Sequence, residues 1–471
     1  MSNFAHTIFS GMQQARNRVL LRWPEEGIVR EWKADTLIHL SNGFSKQLSN
    51  LARLSGKSFV PLQSLNPPRL MAMLALMGQG ASVLVPPSGQ WFSVIKQWRK
   101  RDDFGGVLFV DQAPFLLKAI MWMMQVPTLL LRTDELKGLP DTVEIENDQA
   151  ALISYSSGST GEAKILRRSH RVLGAQHRCL KRCFPPVPCQ IDSSVFANVL
   201  LHQLATGTCS QLPANLSKGL KSLDYIRLSE EWRTGGVTTI TGNPYVFNRI
   251  LALDNPPFLK VDACGIGGAP VDEGLLSKMQ KCFPNATIYV IYGATEVEPI
   301  ALRPYVKGED PSWGYAVGTP VDCLDGIEIR NPQPIRMGQR WVQAGEITVC
   351  GPHVLTTQHA WHATGDFGFI EDGQVFLTAR SGNTEPCEGY QHYQIEHVLR
   401  LQEGIAQVAV HTKAEVLEVA YCGSIDTTKV RQYVEQYFPA IARINVYKKK
   451  RIPLDTRHHS KILYNQIRYG N

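Results

Sequence analysis

The chain has 471 residues, of which 44% are hydrophobic and 19% are charged, and its formal net charge is +7. This length predicts one large domain with a smaller one, and the composition excludes an intrinsically disordered protein. The positive charge could favour an acidic or phosphorylated partner. The longest basic cluster spans only residues 448–451, however, so we interpret it as solvated surface and expect no nucleic-acid partner.

The cysteine pattern and the N-terminus bear on the compartment. Ten cysteines are spread along the chain without a Cys-x-x-Cys pair or a usual zinc spacing, which favours a reducing environment. The first residues lack the apolar core of a signal peptide. The most apolar stretch, residues 70–85, contains two glycines and a glutamine and is shorter than the roughly 20 residues that span a bilayer. We therefore expect a cytoplasmic protein with no membrane span.

The first two thirds of the chain alternate short apolar runs with longer amphipathic segments. β-Branched or apolar runs predict buried strands at residues 107–110, 150–153, 238–240 and 287–291. Residues 272–282 predict a helix, because Leu275, Leu276 and Met279 recur at helical spacing after an acidic first turn. This alternation predicts a large layered α/β domain.

From about Gly318 the pattern changes to short β-like segments separated by polar turns. These segments lie at residues 326–330, 345–350 and 374–378 and predict a small β-rich subdomain. The polar stretch of residues 381–386 predicts a linker, and residues 393–401 predict a further helix. We therefore predict an N-terminal domain over residues 1–382 and a small C-terminal domain over residues 383–471.

A loop rich in glycine and hydroxyl side chains follows the predicted strand at residues 150–153. Its backbone N–H groups can approach an anion closely, its hydroxyls add donors, and Lys164 adds a charge that offsets phosphate. The loop lacks the Gly-Lys-Ser/Thr ending of the common nucleotide-binding loop. A flexible surface loop is the alternative. The candidate phosphate-binding residues are Ser156, Ser157, Gly158, Ser159, Thr160, Gly161 and Lys164.

Three later segments also carry functional side chains. In residues 291–296, Tyr292 can offer its ring face to a base and Glu296 a hard oxygen to Mg²⁺, although a core aromatic and a helix-start carboxylate are the alternatives. Asp366, in the sequence Thr-Gly-Asp-Phe-Gly, accepts hydrogen bonds but could belong to an ordinary turn. Lys461 ends the basic segment 453–461, which alone would predict an exposed tail.

Together, and in this order, these segments resemble the signatures of the adenylate-forming superfamily, which includes acyl-CoA synthetases, peptide-synthetase adenylation domains and luciferases. Residues 267–270, Gly-Gly-Ala-Pro, match a further turn of the family, and residues 70–86 resemble its early helix and strand. Ser156, Ala163 and Ile165 depart from the family's loop pattern. The resemblance implies an α/β fold with a small, mobile α+β C-terminal domain.

The resemblance also implies the roles of individual residues. ATP would lie on the loop, with Tyr292 on adenine, Asp366 on ribose, and Thr160 and Glu296 positioning Mg²⁺. Lys461 would be the catalytic lysine, delivered by a domain that rotates about a hinge at Asn383. The implied nucleotide-binding set, beyond the loop, comprises Gly268, Ala269, Pro270, Tyr292, Gly293, Ala294, Thr295, Asp366 and Arg380.

The acid and the acceptor of the acyl group are less constrained. By position, the acyl pocket would include His202, Asn243 and Gly267 and hold a fatty or related carboxylic acid. After acyl-AMP formation the acceptor would be the phosphopantetheine thiol of a carrier protein or of CoA, although Glu388 replaces the usual basic residue and would repel CoA phosphates if it faced them. Residues 196–207, 292–299 and 455–458 are especially similar to β-lactone synthetases of bacterial olefin biosynthesis, which is one alternative. A catalytically inactive binding module is another.

Overall fold

The computed structural model describes residues 3–25, 28–51, 54–87, 89–134, 145–146, 148–156, 164–214, 216, 219–254, 256–356, 360–455 and 459–469. By their internal contacts the residues form two compact units, Met1–Thr239 and Ile240–Asn471. The predicted domain boundary between residues 382 and 383 stays a prediction. Among the described residues, no helix combines the length and the apolar character that crossing a bilayer requires.

Several helices of the first unit begin at side chains that cap their first turn. Asn66 accepts from the backbone N–H of Arg69 before two prolines, and Ser169 accepts from that of Val172. The described helices are α1 (Phe4–Gln14), α2 (Ala34–Ser49), α3 (Pro67–Gly78), α4 (Trp91–Trp98), α5 (Phe115–Met123), α6 (His170–Cys183), α7 (Ala197–Thr206) and α8 (Tyr225–Thr234).

The strands of the first unit form a six-stranded sheet and a separate ladder. They are β1 (Val19–Glu25), β2 (Ile28–Lys33), β3 (Ser58–Pro61), β4 (Ser82–Leu84), β5 (Phe104–Val110), β6 (Thr128–Leu131), β7 (Ala150–Ser156), β8 (Lys164–Ser169), β9 (Ile191–Ser194) and β10 (Cys209–Gln211), and β11 (Thr239–Gly242) crosses the boundary between the units. The sheet has the order β6-β5-β3-β4-β7-β8, and the ladder runs β9-β10-β1-β2.

Helices cover both faces of the six-stranded sheet. Neighbouring residues of a strand point to opposite faces, so consecutive side chains contact different helices. Val83 packs with α1, α2 and α3, whereas Leu84 packs with α4 and α5. The strands pair in parallel except for β7 and β8. Buried parallel strands with helices on both faces are the layered α/β arrangement that the sequence predicts.

Among its described residues, the second unit contains four α-helices and two groups of strands. The helices are α9 (Pro244–Leu251), α10 (Glu273–Cys282), α11 (His392–Arg400) and α12 (Thr427–Tyr437). The strands are β12 (Ala263–Gly267), β13 (Thr287–Ala294), β14 (Val297–Pro304), β15 (Tyr315–Pro320), β16 (Gly326–Met337), β17 (Arg340–Cys350), β18 (His362–Glu371), β19 (Gln374–Arg380), β20 (Ile405–Lys413), β21 (Val416–Gly423) and β22 (Ile444–Lys448).

Strands β12–β19 lie in one sheet, in the order β16-β17-β18-β19-β15-β14-β13-β12. Only β12 and β13 pair in parallel, and the others join as antiparallel neighbours. Strands β20, β21 and β22 form a small sheet against α11 and α12, with its own apolar core around Val408, Val419 and Phe438. The predicted α/β fold class is confirmed, and each predicted strand and helix is present. The largest differences in bounds are in β16, which runs to Met337 rather than residue 330, and in β17, which begins at Arg340 rather than residue 345.

Candidate active site

A pocket of about 790 Å³, part of it open solvent, lies in the second unit and gathers the main predicted residues. Its walls come from the end of β12, the end of β13, the facing strands β18 and β19, helix α11 and the C-terminal segment. The predicted residues that line it are Gly268, Ala269, Pro270, Tyr292, Gly293, Asp366, Arg380 and Lys461. The pocket therefore brings together residues nearly 200 positions apart in the chain.

Asp366 is the centre of a polar cluster in this pocket. Its Oδ1 accepts from the Arg380 guanidinium at 2.7 Å, and its Oδ2 accepts from the Tyr292 hydroxyl at 3.1 Å. Asp366 and Arg380 face each other because they are register partners in the antiparallel pair β18–β19. Burial, reinforced by the Asp366 charge, raises the pKa of the Tyr292 hydroxyl well above its ordinary value, so this group remains a donor. Asp366 likewise raises the pKa of Arg380, which remains a cation.

Lys461 is held at the pocket by a hairpin of the C-terminal segment. Asp455 accepts from the backbone N–H groups of Ser460 and Lys461 at 3.1 and 2.9 Å, and its own N–H donates to the Lys461 carbonyl at 2.8 Å. Burial and the neighbouring Arg380 lower the pKa of the Lys461 ammonium, while Asp366, Asp455 and Glu296 act in the opposite direction. The lysine is thus a half-buried cation among carboxylates, unlike the exposed basic tail that was the alternative.

Glu296 lies in a two-residue turn of the hairpin β13–β14, since Ala294 pairs with Val297. The alternative that Glu296 starts a helix is therefore wrong, because the chain reverses there. Thr295 shares this turn, and the backbone carbonyl of Glu296 accepts from Leu355 at 2.8 Å. The Glu296 carboxylate is close enough to Lys461 for its charge to raise the pKa of that lysine.

A magnesium site was predicted at Thr160 and Glu296. Thr160 lies outside the described residues, but the half-buried Glu296 carboxylate, near Lys461, is a hard oxygen ligand of the kind that Mg²⁺ prefers. Within the described ranges there is no group of three or more His, Cys, Asp or Glu side chains placed to hold a metal. Mg²⁺ bound with a nucleotide needs only one or two carboxylates, because phosphate and water supply its other ligands.

The predicted phosphate-binding loop is described only at its ends. Ser156 ends β7, Lys164 begins β8 as an exposed residue, and the two are register partners in an antiparallel pair. The remaining predicted loop residues lie outside the described residues; they are Ser157, Gly158, Ser159, Thr160 and Gly161.

The predicted acyl-pocket residues all have structural contacts. His202 is buried in α7 with its Nδ1 3.1 Å from Nδ1 of His177, and burial lowers the pKa values of the two rings to about 3 and about 4. Asn243 caps α9 by accepting from Val246 at 3.0 Å. A Cβ on Gly267 would overlap the carbonyl oxygen of Ile291, so close strand packing requires this glycine. Their part in acyl binding stays a prediction.

Asn383, the predicted hinge, is a buried residue tied to β20. Its Nδ2 donates to the Val410 carbonyl and its Oδ1 contacts Nδ1 of His411, both at 2.8 Å. The left-handed backbone conformation at this turn falls on Gly382, whose φ is 88°. The left-handed residue of this turn therefore directly precedes Asn383, whose side chain joins the turn to the small sheet.

A second acidic centre was not singled out from the sequence. Glu396 lies on α11, is fully buried, and accepts from the Tyr464 hydroxyl at 2.8 and 2.9 Å and from the Val410 N–H at 2.9 Å. Burial raises the pKa of its carboxyl to about 7. Glu396, Tyr464 and Arg400 line the same pocket as Lys461. The apolar face of α11 was predicted, but the sequence carried no signal that the helix is buried on nearly all sides.

This layered α/β fold, with a C-terminal lysine beside an Asp–Arg–Tyr cluster, has the features expected of the adenylate-forming superfamily. A family profile described as AMP-binding enzyme matches residues 60–357, more than half of the chain. The chain belongs to this family, and the resemblance seen in its motifs is confirmed.

Known proteins add detail within the family. The chain is 31% identical over 269 residues to the olefin β-lactone synthetase of Xanthomonas campestris pv. campestris, covering 50% of this chain and 48% of that protein. It is 29% identical over 314 residues to that of Stenotrophomonas maltophilia, covering 58% and 56% of the two chains. The chain thus spans about half the length of these relatives.

Two solved structures share the fold. The amide bond synthetase of Marinactinospora thermotolerans superposes with a TM-score of 0.77 at 16% identity, covering 97% of this chain and 98% of that one. The O-succinylbenzoate coenzyme A synthetase of Bacillus subtilis, in complex with AMP, gives 0.75 at 16% identity, covering 100% and 99%. At such low identity these likenesses show the fold alone.

Proposed function

We propose that the chain activates a carboxylic acid with ATP, forming an acyl-adenylate and releasing pyrophosphate. In this reaction a carboxylate oxygen bonds to the α-phosphorus while the bond from that phosphorus to the pyrophosphate oxygen breaks. The observation that carries the proposal is that Lys461, Asp366, Arg380 and Tyr292 line one pocket. A cation, a ribose acceptor and an aromatic ring are what such a reaction needs in one place.

Each residue has a role that follows from its contacts. The Lys461 ammonium, surrounded by carboxylates, stabilises negative charge that develops on the α-phosphate. Asp366 accepts from ribose hydroxyls and is held in position by Arg380 and Tyr292. Glu296, with Thr160, would hold Mg²⁺, which when bound neutralises phosphate charge. Because the groups are fixed before the substrates bind, catalysis is chiefly positioning and charge stabilisation.

The finer parts of the proposal are the acid and the acceptor. We expect a fatty or related acid in a cytoplasmic enzyme, with the acyl group passed to a carrier-protein phosphopantetheine or to CoA. Glu388 is exposed next to Gly389, where a carboxylate would repel the phosphates of an approaching CoA. This charge favours an acceptor other than CoA itself.

A second candidate is closure of a β-lactone. Its support is the similarity to two olefin β-lactone synthetases, at 31% and 29% identity. An adenylated β-hydroxy acid would react through its own hydroxyl oxygen, which bonds to the acyl carbon as AMP leaves and the hydroxyl proton passes to solvent. No separate acceptor is then needed.

The test is acid-dependent pyrophosphate release from ATP and Mg²⁺, with hydroxylamine to trap acyl-AMP. The panel contains fatty, β-hydroxy and aromatic acids, each with wild type, Lys461→Ala and the exposed-lysine control Lys413→Ala. We expect Lys461→Ala to lower the rate at least about 100-fold, as for loss of one transition-state charge contact, and the control to match wild type. Mass spectrometry of the products formed without hydroxylamine then distinguishes the two candidates. A β-lactone indicates ring closure, whereas an accumulated acyl-adenylate indicates an enzyme that needs a thiol acceptor. Folded protein that binds ATP but releases no pyrophosphate with any acid would instead be a binding module.

A further inference from the structure

Helix α5 in the first unit exposes a continuous apolar surface. Phe115, Leu116, Trp122 and Met123 have 87%, 70%, 81% and 67% of their surface accessible. Scattered exposed apolar residues are ordinary, but four large ones on a nine-residue helix form a patch of the kind that marks an interaction site.

The inner face of the same helix is already used in packing. Met121 is fully buried, and Leu117, Ile120 and Met124 are partly buried against the core shared with α4. At about 100° per residue, the four exposed side chains fall on the opposite side of the helix. Apart from Lys118, the helix is therefore apolar on its outer as well as its inner side, which is unusual for a water-exposed helix, and the outer face calls for a covering partner.

One basic side chain reaches the C-terminal end of this helix, and another lies on the helix itself. The Arg99 guanidinium donates to the Met124 carbonyl at 2.8 Å, which places its charge at the C-terminal end of α5. Lys118 is exposed on α5 itself. Two more exposed lysines lie near Arg99 in the sequence: Lys96 about one helical turn before it, and Lys100 directly after it. None of these four cations forms an ion pair with a described residue, whereas the nearby Arg101 pairs with Asp103 at 2.9 Å.

We propose that α5 docks on the surface of an anionic lipid bilayer, lying in the interface with its outer face at the boundary between headgroups and acyl chains. The occupant follows from the chemistry of the patch. An exposed apolar helix face with a tryptophan, with Lys118 on the helix and the Arg99 guanidinium at its end, matches an interfacial helix, whose cations meet lipid phosphates. A protein partner would need an apolar groove ringed by acidic groups to satisfy the same surface. This proposal does not depend on the reaction proposed for the pocket.

The experiment is vesicle co-sedimentation of the full chain. Vesicles of phosphatidylcholine with roughly a third phosphatidylglycerol are compared with pure phosphatidylcholine, at low and high salt. The double variant Leu116→Ser/Trp122→Ser removes two exposed apolar side chains, and Ile226→Ser, which is 62% exposed on α8, is the matched control. We expect the wild type to bind the anionic vesicles, salt to weaken binding, and the double variant to bind at least about 10-fold less while the control is unchanged.

The opposite outcomes are equally definite. Wild type that binds neither vesicle type overturns the proposal, as does binding that the double variant and control retain equally. A wild type that self-associates through this face, becomes monomeric in the double variant and ignores vesicles would show an interface between copies instead. Pyrophosphate release from the same samples, expected unchanged in both variants, keeps a failed membrane result separate from a failed reaction.

Discussion

Replacing Glu396 by glutamine should change how the stability of the protein depends on pH. The Glu396 carboxyl is fully buried, and burial raises its pKa from 4.5 to about 7. The folded protein therefore binds this proton more tightly than the unfolded chain does. The stability that comes from binding this proton is complete below the pKa of the unfolded chain. It is lost as the pH rises through the folded pKa of about 7. The difference between the two pKa values corresponds to about 3 kcal/mol at alkaline pH.

The assay is denaturant unfolding of wild type and Glu396→Gln at about pH 5 and about pH 8.5. The amide keeps an oxygen that can accept from Tyr464 and Val410 but carries no ionisable proton, so other titrating groups cancel in the comparison. Because a little of the contribution is already lost at pH 5, the variant should gain about 2.5 kcal/mol relative to wild type at the higher pH compared with the lower. Glu403→Gln, which changes an exposed carboxylate, is the control. A difference between variant and wild type that is the same at both pH values would refute the reasoning.

Three further predictions concern the pocket and the sheet that supports it. Tyr464→Phe removes the hydroxyl bond to Glu396 and should lower kcat for pyrophosphate release several-fold with little change in the KM for ATP, because it loosens the segment that carries Lys461. Since burial lowers the pKa of Lys461, pyrophosphate release measured against pH should decline at a pH below the ~10.4 of a free lysine. Gly368→Ala should lower the unfolding free energy by at least about 2 kcal/mol in a denaturant titration, because its Cβ would overlap the Phe376 carbonyl oxygen.

Each of these has a contrary result. The control for Tyr464→Phe is Tyr437→Phe, which changes an exposed tyrosine. If both variants lost the same amount of kcat, the positioning role of Tyr464 would be contradicted. An alkaline limb at or above the pKa of free lysine would contradict the burial of Lys461. Wild-type stability of Gly368→Ala would contradict the close packing of β18 on β19. The control is Gly174→Ala in helix α6, where the added Cβ would meet only the flexible Arg178 side chain.

The sequence predicted the parts of the site that are carried by local motifs. Tyr292, Asp366, Arg380 and Lys461 stand in recognisable short patterns, and the order of those patterns indicated one family. The contacts among them depend on strand register, which pairs Asp366 with Arg380 across an irregular hairpin that no local pattern specifies.

Other features depend on packing between distant segments. The Glu396–Tyr464 contact joins residues 68 positions apart, and a lone glutamate on an amphipathic helix gives no sign of burial. The position of Glu296 in a tight hairpin, rather than at a helix start, follows from the pairing of β13 with β14. The left-handed residue at the predicted hinge is Gly382 rather than Asn383, because glycine adopts that conformation without steric cost.

The pairing of β18 with β19 also limits how this region could change during evolution. Asp366 and Arg380 are partners across a hairpin that closes at Glu371 and Gln374. Inserting or deleting one residue in the turn between them would shift the register, and a one-residue shift turns every following side chain to the other face of the sheet. Substitutions at Asp372 and Gly373 that suit their left-handed backbone conformation, such as asparagine or glycine at Asp372, should therefore be tolerated better than changes in length. Among related proteins, the spacing between these two charged residues should vary less than the residues that fill it.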